Sequence, residues 1–216
     1  MQQPFLHKIH NQHFWLTPQR CIFWEEQKTI IASDLHLGKT GHFRKHGIAV
    51  PQNVYKEDLQ RLLDVVTYFK AEHFIAVGDL FHSTANKEMD LFLKWRQDVS
   101  QLNITLVEGN HDILKKSWYT QANIDIKKDC FETNGFRFVH DICTAEDEGV
   151  YCISGHIHPG VSIKGIAKQS LSFPCYFFGE THAVLPAFSR FTGISLMHKT
   201  KQDQVFAIVE QSIIKI

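Results

Sequence analysis

The chain has 216 residues, of which 44% are hydrophobic and 21% charged, the composition of an ordinary globular protein. Its 23 basic and 23 acidic side chains cancel, which argues against a protein that coats nucleic acid by bulk charge and leaves only a local basic groove for that purpose. No apolar run approaches the roughly 20 residues of a membrane span, and the N-terminus lacks the pattern of a signal peptide. We therefore expect a single domain over residues 1–216, a cytoplasmic location and no membrane partner.

The cysteines predict neither a disulfide framework nor a zinc ribbon. Their number is odd, and no two of them have the CxxC spacing of a metal-binding knuckle. We expect buried free thiols in a reducing compartment. The five residues are Cys21, Cys130, Cys143, Cys152 and Cys175.

The first half of the chain alternates between predicted strands and helices. Residues 14–32 are rich in Ile, Phe and Trp and predict two strands around a turn. Apolar residues at helical spacing predict helices over residues 54–69 and 88–99. The apolar runs HFIAV and ITLV predict the strands that follow these helices. This alternation is typical of a parallel α/β sheet.

The second half of the chain is β-rich. Asn134 and Gly135 separate two strand-like runs and predict a hairpin. Further strand-like runs follow in YCIS, in SFPCYFF and in QVFAIV. We expect a second mixed sheet packed on the first with helices outside, which is an α/β fold with an αββα sandwich of two mixed sheets.

Five predicted strands end in clusters of Asp, Asn or His. They are contained in the segments IIASDLH, IAVGD, LVEGNHD, FRFVHD and ISGHIH. Because ligand sites of open α/β sheets gather at the carboxyl ends of the strands, we expect these clusters to converge on one cleft. The candidate metal ligands are Asp34, His36, Asp79, Asn110, His140, His156 and His158.

Each cluster alone has an ordinary structural explanation. Asp34 and His36 could belong to a turn or a cap, and His140 could be a core histidine. The pair His156 and His158 after a glycine is the most specific element. Together, carboxylate, amide and imidazole ligands suit Mn²⁺, Fe or Zn²⁺. Seven ligands predict two ions that share a carboxylate, a centre able to hydrolyse phosphoesters.

The order of these motifs resembles that of the calcineurin-like metallophosphoesterases. The matching blocks are D34-x-H36, G78-D79, G109-N110-H111-D112, His140 and G155-H156-x-H158. The resemblance implies two divalent ions, Mn²⁺ first with Fe or Zn²⁺ as alternatives, and attack on phosphorus by a hydroxide between them. One ion would bind Asp34, His36 and His158, the other would bind Asn110, His140 and His156, and Asp79 would bridge them. His111 would act on the leaving group, with Asp112 as its orienting partner.

Longer segments are similar to a bacterial subgroup of that family, the ligase-associated DNA damage response phosphoesterases (PdeM). The resemblance is carried by SDLHLGKTGHFRKHGIAVP, GDLFHS and LPAFSRFTG. It implies an endonuclease that hydrolyses DNA in a repair context, in association with a DNA ligase and a helicase.

Basic and histidine side chains near the predicted ligands are candidate substrate contacts. Positive charge beside the cleft could hold a phosphate chain across the ions, whereas a solvated loop and structural histidines are the simpler alternative. These candidates are Lys39, His42, Arg44, Lys45, His46, His82 and Arg190.

Two other functions stay open at this point. A hydrolase of a small phosphoester, or of a nucleotide or lipid pyrophosphate, could begin with a similar SDLHL block. A non-catalytic scaffold that keeps its metals is the third alternative, although every ligand position and His111 are filled.

Overall fold

The computed structural model describes residues 3–39, 53–82, 87–143, 149–165 and 169–216. A seven-stranded sheet is formed by the first seven strands in chain order. They are β1 (Phe5–Ile9), β2 (Gln12–Leu16), β3 (Ile22–Trp24), β4 (Thr29–Ala32), β5 (His73–Val77), β6 (Asn103–Val107) and β7 (Ile124–Lys127). Strands β1 to β4 pair antiparallel, and β4 to β7 pair parallel.

Within the described residues, three helices connect the parallel strands. Helix α1 (Asn53–Phe69) precedes β5, α2 (Lys87–Asp98) precedes β6, and α3 (Lys116–Gln121) precedes β7. Leu59, Leu62 and Val65 recur on one face of α1 and are buried against the sheet. The parallel strands therefore end together at one edge of the sheet, which is where the predicted ligands begin.

Both faces of the central strands are covered. In β4, Ile30 and Ala32 belong to the core under the helices, while Ile31 belongs to the core between the two sheets. Ile75 in β5 also faces the second sheet, whereas Phe74 faces the helices. This burial explains the continuous apolar runs of β4 and β5, because neither face is left for polar residues.

The second sheet is built from the remaining strands and is also mixed. Strands β9 and β10, and β10 and β13, pair parallel, whereas most of the other pairs are antiparallel. Its members are β8 (Cys130–Thr133), β9 (Phe136–Val139), β10 (Tyr151–Ser154), β11 (Pro159–Lys164), β12 (Ser170–Phe178), β13 (His182–Val184), β14 (Ser195–Leu196), β15 (Gln204–Val209) and β16 (Ser212–Lys215).

The predicted α/β fold of two stacked mixed sheets is confirmed. The Asn134-Gly135 hairpin joins β8 to β9, and the two long helices lie within a residue of their predicted bounds. In the described ranges all three helices lie on the first sheet, and the outer face of the second sheet carries a small apolar cluster that includes Phe177. Residues 14–32 were predicted as two strands, but the structure has three there, β2 to β4, so β2 was missed. Sequence reasoning also missed β1, β7, β14 and the six-residue α3, whose periodicity is too short to read.

The cysteine prediction is wrong for two of the five residues. Cys143 and Cys152 form a disulfide, with their Cα atoms 6.0 Å apart. Cys143 follows the end of β9, and Cys152 lies in β10, which pairs with β9, so the pairing of the strands brings the two thiols together. The expectation holds for Cys21 and Cys175, which are free and buried.

None of the three described helices is long and apolar enough to cross a membrane.

His7 makes the stability of this fold depend on pH. Its ring lies 4.2 Å from that of Phe178 and 5.1 Å from that of Phe206, and burial, with a smaller effect from Lys215, lowers its pKa to about 4. An unfolded histidine titrates near 6.5, so between those values the unfolded chain binds a proton that the folded chain does not. Stability therefore falls as the pH is lowered through this window.

We expect the wild type to lose about 2 kcal/mol more unfolding free energy between pH 7 and pH 5 than the His7→Phe variant does. Urea denaturation in EDTA at both pH values measures the difference. The exposed His198→Phe is the control and should keep the wild-type dependence. Equal pH dependence in wild type and His7→Phe would contradict this role of His7.

Candidate metal centre

The carboxyl ends of five strands meet at one edge of the two stacked sheets. Asp34, Asp79 and Asn110 lie in the loops after β4, β5 and β6 of the first sheet. His140 follows β9, and His156 and His158 follow β10 in the second sheet. The convergence predicted from the sequence is therefore present.

Hydrogen bonds tie these loops to one another. The Asp34 N–H donates to the Gly78 carbonyl at 3.1 Å, and the His36 N–H donates to the Asp79 carbonyl at 2.9 Å. Across the two sheets, the His156 N–H donates to Asp34 Oδ2 at 3.0 Å. The loops are thus held by the backbone, and the ligand side chains are left free to face one another.

The first group of ligands is Asp34, His36 and His158. Asp34 Oδ1 lies 3.2 Å from His158 Nε2 and 3.9 Å from His36 Nε2. Asp34 is fully buried, yet this oxygen has no hydrogen-bond partner. A buried, unpartnered carboxylate oxygen that faces two imidazoles is what a cation site requires.

The second group contains Asp79, His140 and His156, with Asn110 beside it. His140 Nε2 lies 3.1 Å from His156 Nδ1, 3.0 Å from Asn110 Oδ1 and 3.5 Å from Asp79 Oδ1. In each group the three ligand atoms lie within 4.8 Å of one another. Imidazole nitrogens with carboxylate and amide oxygens suit a divalent transition metal, so the residues fit the ions that the sequence predicts.

Asp79 lies between the two groups. Its Oδ2 is 3.9 Å from His36 Nδ1 in the first group, while its Oδ1 faces His140 in the second. The His111 N–H also donates to Oδ1, at 2.8 Å. One carboxylate therefore lies between the two groups, where it could be shared by two ions.

Five of the seven predicted ligands have a left-handed backbone. Their φ angles lie between 48° and 62°, in a region that costs a residue with a side chain about 1–2 kcal/mol. Such strain persists only where the surroundings enforce it. The five residues are Asp34, His36, Asp79, His156 and His158.

Three glycines leave room for these side chains. A Cβ at Gly78 would lie 1.9 Å from His140 Nδ1, and one at Gly155 would lie 1.9 Å from Ser33 Oγ. A Cβ at Gly109 would lie 2.3 Å from the Asp79 amide nitrogen. The glycines of the three sequence motifs are therefore explained by close packing against the ligand loops.

Charges in the centre are set by burial and by hydrogen bonds. Burial lowers the pKa of His36 to about 3, which keeps its imidazole neutral and ready to bind a metal. Burial would raise the pKa of Asp79, but bonds from His140 and from the His111 backbone lower it to about 2. Burial alone would lower the pKa of His140. The hydrogen bond and the charge of the Asp79 carboxylate outweigh burial and raise that pKa to about 9.

His111 lies at the mouth of the centre without belonging to either ligand group. Its side chain is 42% exposed, and its Nε2 is 4.0 Å from Asp79 Oδ2. The ring centroid of His82 is 4.4 Å from that of His111 and 5.2 Å from that of His36, so His82 lines the same cleft. The predicted roles, catalysis for His111 and substrate binding for His82, stay predictions.

Asp112 contacts the loop that carries His111 through backbone amides. Its carboxylate accepts hydrogen bonds from the Phe81 N–H at 3.0 Å and from the Gly109 N–H at 2.9 Å. Within the described residues it has no hydrogen bond to the His111 imidazole, so it fixes the loop that carries the imidazole. Burial raises the pKa of Asp112 to about 7, although the two hydrogen bonds from backbone amides act to lower it.

The predicted substrate contacts divide into three cases. Lys39 is half-buried near Asp79 and Asp34, where burial lowers its pKa and the two carboxylates oppose that shift. Arg190 is exposed and lines a cavity with Arg20 rather than joining either ligand group. His42, Arg44, Lys45 and His46 lie outside the described residues.

Sequence reasoning missed the residues that hold the segment behind Asp34. The Ser189 N–H donates to the Asp34 carbonyl at 3.1 Å. That segment is held in turn by Arg20, which donates to the Ser189 carbonyl at 2.9 Å, and by Arg61, which donates to the Phe188 carbonyl at 2.5 Å. No local pattern could have found them, because 127 and 169 residues separate the partners.

Comparison with known proteins agrees with this geometry. A family model described as calcineurin-like phosphoesterase matches residues 27–191. No curated protein matches the chain. Among solved structures, a Pseudomonas putida protein described as nuclease MPE has a TM-score of 0.84 at 21% identity, over 98% of this chain and 100% of that one. The match shows that the two proteins share a fold over nearly their whole lengths.

Two more distant structures were also found. The phosphoesterase Yfce from E. coli has a TM-score of 0.46 at 15% identity, over 87% of this chain and 97% of that one. A predicted phosphoesterase from Streptococcus pneumoniae has a TM-score of 0.35 at 13% identity, over 87% and 86%.

We expect Gly78→Ala to weaken Mn²⁺ binding by at least about tenfold, because the new Cβ displaces the His140 ring from the second ligand group. Titration calorimetry of the metal-free protein measures the affinity and the number of ions bound.

Gly135→Ala is the matched control. Gly135 has φ 80° against 76° for Gly78, so both variants carry a similar backbone cost, but a Cβ at Gly135 meets nothing within 4 Å. Its Mn²⁺ affinity should equal that of the wild type. If the two alanine variants bind Mn²⁺ equally well, the contact between Gly78 and His140 does not position a ligand.

Proposed function

Because the chain belongs to the calcineurin-like phosphoesterase family, we propose that it is a two-metal phosphodiesterase that cleaves DNA strands internally. The observation that carries this proposal is the pair of ligand groups joined by Asp79. Family membership makes the chain a hydrolase of phosphoester bonds, and the choice of a DNA strand as substrate is our inference. We further propose that residues 1–216 form one domain, since the core between the sheets draws on both halves of the chain.

We assign one ion to Asp34, His36 and His158, and the other to Asn110, His140 and His156, with Asp79 shared. Two bound divalent ions would supply the acidity that activates water near neutral pH and the positive charge that offsets a phosphate. Mn²⁺ is our first choice, with Fe or Zn²⁺ as alternatives, because carboxylate and imidazole accept all three.

The chain's own groups would complete the reaction at the mouth of the cleft. The His111 imidazole is 42% exposed with its Nε2 4.0 Å from Asp79 Oδ2, and we assign it the transfer of a proton to the leaving oxygen. Its backbone N–H is bonded to Asp79 Oδ1, so the imidazole is positioned by the bridging ligand itself. Asp112 keeps the loop in place through the Gly109 and Phe81 amides, and His82 packs against the His111 ring.

Two observations support a polynucleotide substrate. The fold is shared with a protein described as a nuclease. Lys39, the first residue of the predicted basic run, lies near the carboxylates of Asp34 and Asp79. A role in DNA repair beside a ligase and a helicase follows from the resemblance to the PdeM subgroup and is part of this proposal.

The activity is tested with purified protein and Mn²⁺ on bis-p-nitrophenyl phosphate, on single-stranded DNA and on nicked duplex DNA. We expect hydrolysis of the small diester and internal cleavage of DNA, both abolished by EDTA. Absence of turnover with Mn²⁺, Fe²⁺ and Zn²⁺ would refute the two-metal mechanism. Cleavage of the small diester without cleavage of DNA would refute the choice of substrate.

The His111→Ala variant tests the assignment of the proton donor. We expect two bound ions, as in the wild type, and a turnover lower by about 10²–10⁴, the usual contribution of general acid catalysis. Metal analysis and steady-state kinetics on the small diester provide the two measurements. His198→Ala, on the exposed surface, is the control. An unchanged turnover, or the loss of an ion, would show that His111 has another role.

A further inference from the structure

A cavity of about 540 Å³ lies beside the segment that supports Asp34. Two arginines, Arg20 and Arg190, line it together with the apolar side chains of Pro18 and Phe173. None of the metal-ligand groups opens into it. The cavity is therefore distinct from the metal centre, and no metal ligand lines it.

Arg20 is held so that part of its guanidinium group is free. It lies in a tight turn in which the Arg20 N–H donates to the Thr17 carbonyl, and its φ is 66°, in the left-handed region. Its Nη1 donates to the carbonyls of Ala187 and Ser189, at 3.3 and 2.9 Å. Within the described ranges no acidic side chain forms an ion pair with it, so its remaining N–H groups are available to a ligand.

Arg190 brings a second positive charge to the same cavity. Its side chain is exposed and has neither a hydrogen bond nor an ion pair among the residues that the structure describes. Burial and then the charge of Arg190 lower the pKa of Arg20, which places the two guanidinium groups within electrostatic reach of each other. The nearby carboxylate of Asp58 acts on both arginines but is already in an ion pair with Arg61 at 2.9 Å. Two guanidinium groups that line one cavity therefore favour an anion between them.

The surrounding charges distinguish this cavity from its neighbour. The adjoining depression of about 780 Å³, which Arg190 also lines, contains the carboxylates of Glu57, Asp58 and Asp64, so it favours an anion less. Arg61, which also lines that depression, is already paired with Asp58 at 2.9 Å. In the smaller cavity the acidic residue is Glu210, which is exposed on a turn. The smaller cavity is therefore lined by two arginines and one carboxylate, whereas acidic side chains predominate in its neighbour.

Ser189 connects the cavity to the metal centre. Its carbonyl accepts the bond from Arg20, while its N–H donates to the carbonyl of Asp34. The cavity and the first ligand group are thus on either side of one short segment. A strand bound at Asp34 and Asp79 that continued past this segment would bring another of its phosphates to the cavity.

We propose that Arg20 and Arg190 form an anion subsite that binds a phosphate of the DNA strand other than the one being cleaved. The proposal rests on the proposed function, since it names a second contact of the same substrate. The chemistry required of the ligand is that of a phosphodiester or phosphate oxygen, which a guanidinium group binds through paired N–H donors. Such a contact positions the strand without reading its sequence.

The test uses metal-free full-length protein in EDTA, so that binding is measured without cleavage. Anisotropy of a fluorescein-labelled single-stranded oligonucleotide gives Kd over a series of salt concentrations. We expect Arg190→Ala to raise Kd about tenfold and to reduce the slope of log Kd against log salt by about one phosphate contact. Arg190→Lys should restore the slope, because the charge returns, and only part of the affinity.

Lys94→Ala is the control, since Lys94 is an exposed cation on α2 and lines neither cavity. It should bind the oligonucleotide as the wild type does. Equal Kd and equal salt slope in wild type and Arg190→Ala would overturn the subsite. An equal loss in Lys94→Ala would also overturn it, because the effect would then be one of net charge.

A second arm identifies the source of the phosphate. Inorganic phosphate and tripolyphosphate are added as competitors, and thermal melting is followed in parallel. If they stabilise the wild type and not Arg190→Ala, while oligonucleotide binding ignores Arg190, the cavity binds a free phosphate compound and the strand subsite is refuted.

Kinetics separate this proposal from the proposed function. With Mn²⁺, Arg190→Ala should reduce kcat/KM about tenfold more for an oligonucleotide than for bis-p-nitrophenyl phosphate, mainly through KM. Arg190-dependent binding in EDTA together with no hydrolysis of any diester would refute the proposed function and retain the anion subsite. Hydrolysis of DNA that Arg190→Ala leaves unchanged would refute the anion subsite and retain the proposed function.

Discussion

The hydrogen bond from the His156 N–H to Asp34 Oδ2 joins the two sheets at the metal centre. Asp34 belongs to the first sheet and His156 to the second, so the bond fixes the separation of the two ligand groups. Ser33 Oγ contacts the same oxygen, which leaves Oδ1 as the free ligand atom. A buried carboxylate with one oxygen satisfied and one oxygen free favours a cation that compensates for its charge, and this constraint governs the surrounding loops.

Those loops have a strained backbone, and specific contacts offset the cost of this strain. Left-handed backbone at Asp34, His36 and Asp79 lets consecutive residues turn their side chains toward one point. The cost is offset by backbone hydrogen bonds between the β4 and β5 loops and by the packing that the glycines allow. From behind, Arg20 and Arg61 hold the segment that contacts the Asp34 carbonyl, so the metal centre depends on side chains that belong to neither ligand group.

Both the fold and the candidate ligands could be predicted because their signals are local. The continuous apolar runs of β4 and β5 follow from burial on both faces, and each ligand follows directly on the end of a strand. What could not be predicted depends on distant partners. Cys143 and Cys152 meet because β9 and β10 pair, and Asp112 bonds the Phe81 amide 31 residues away. Helix α3 was missed because six residues carry too little periodicity.

The sequence by itself determined the chemical types of the ligands, their order and the β-α alternation that brings strand ends together. The reason is that each depends on residue identity and on short-range periodicity, which a linear chain displays directly. The tertiary structure decided that Asp79 directs different oxygens to the two groups, that Asp112 acts through backbone amides, and that Arg190 faces Arg20 across a separate cavity. These depend on the packing of one sheet against the other and on the path of the segment from Ala187 to Ser189, which connects residues far apart in the chain.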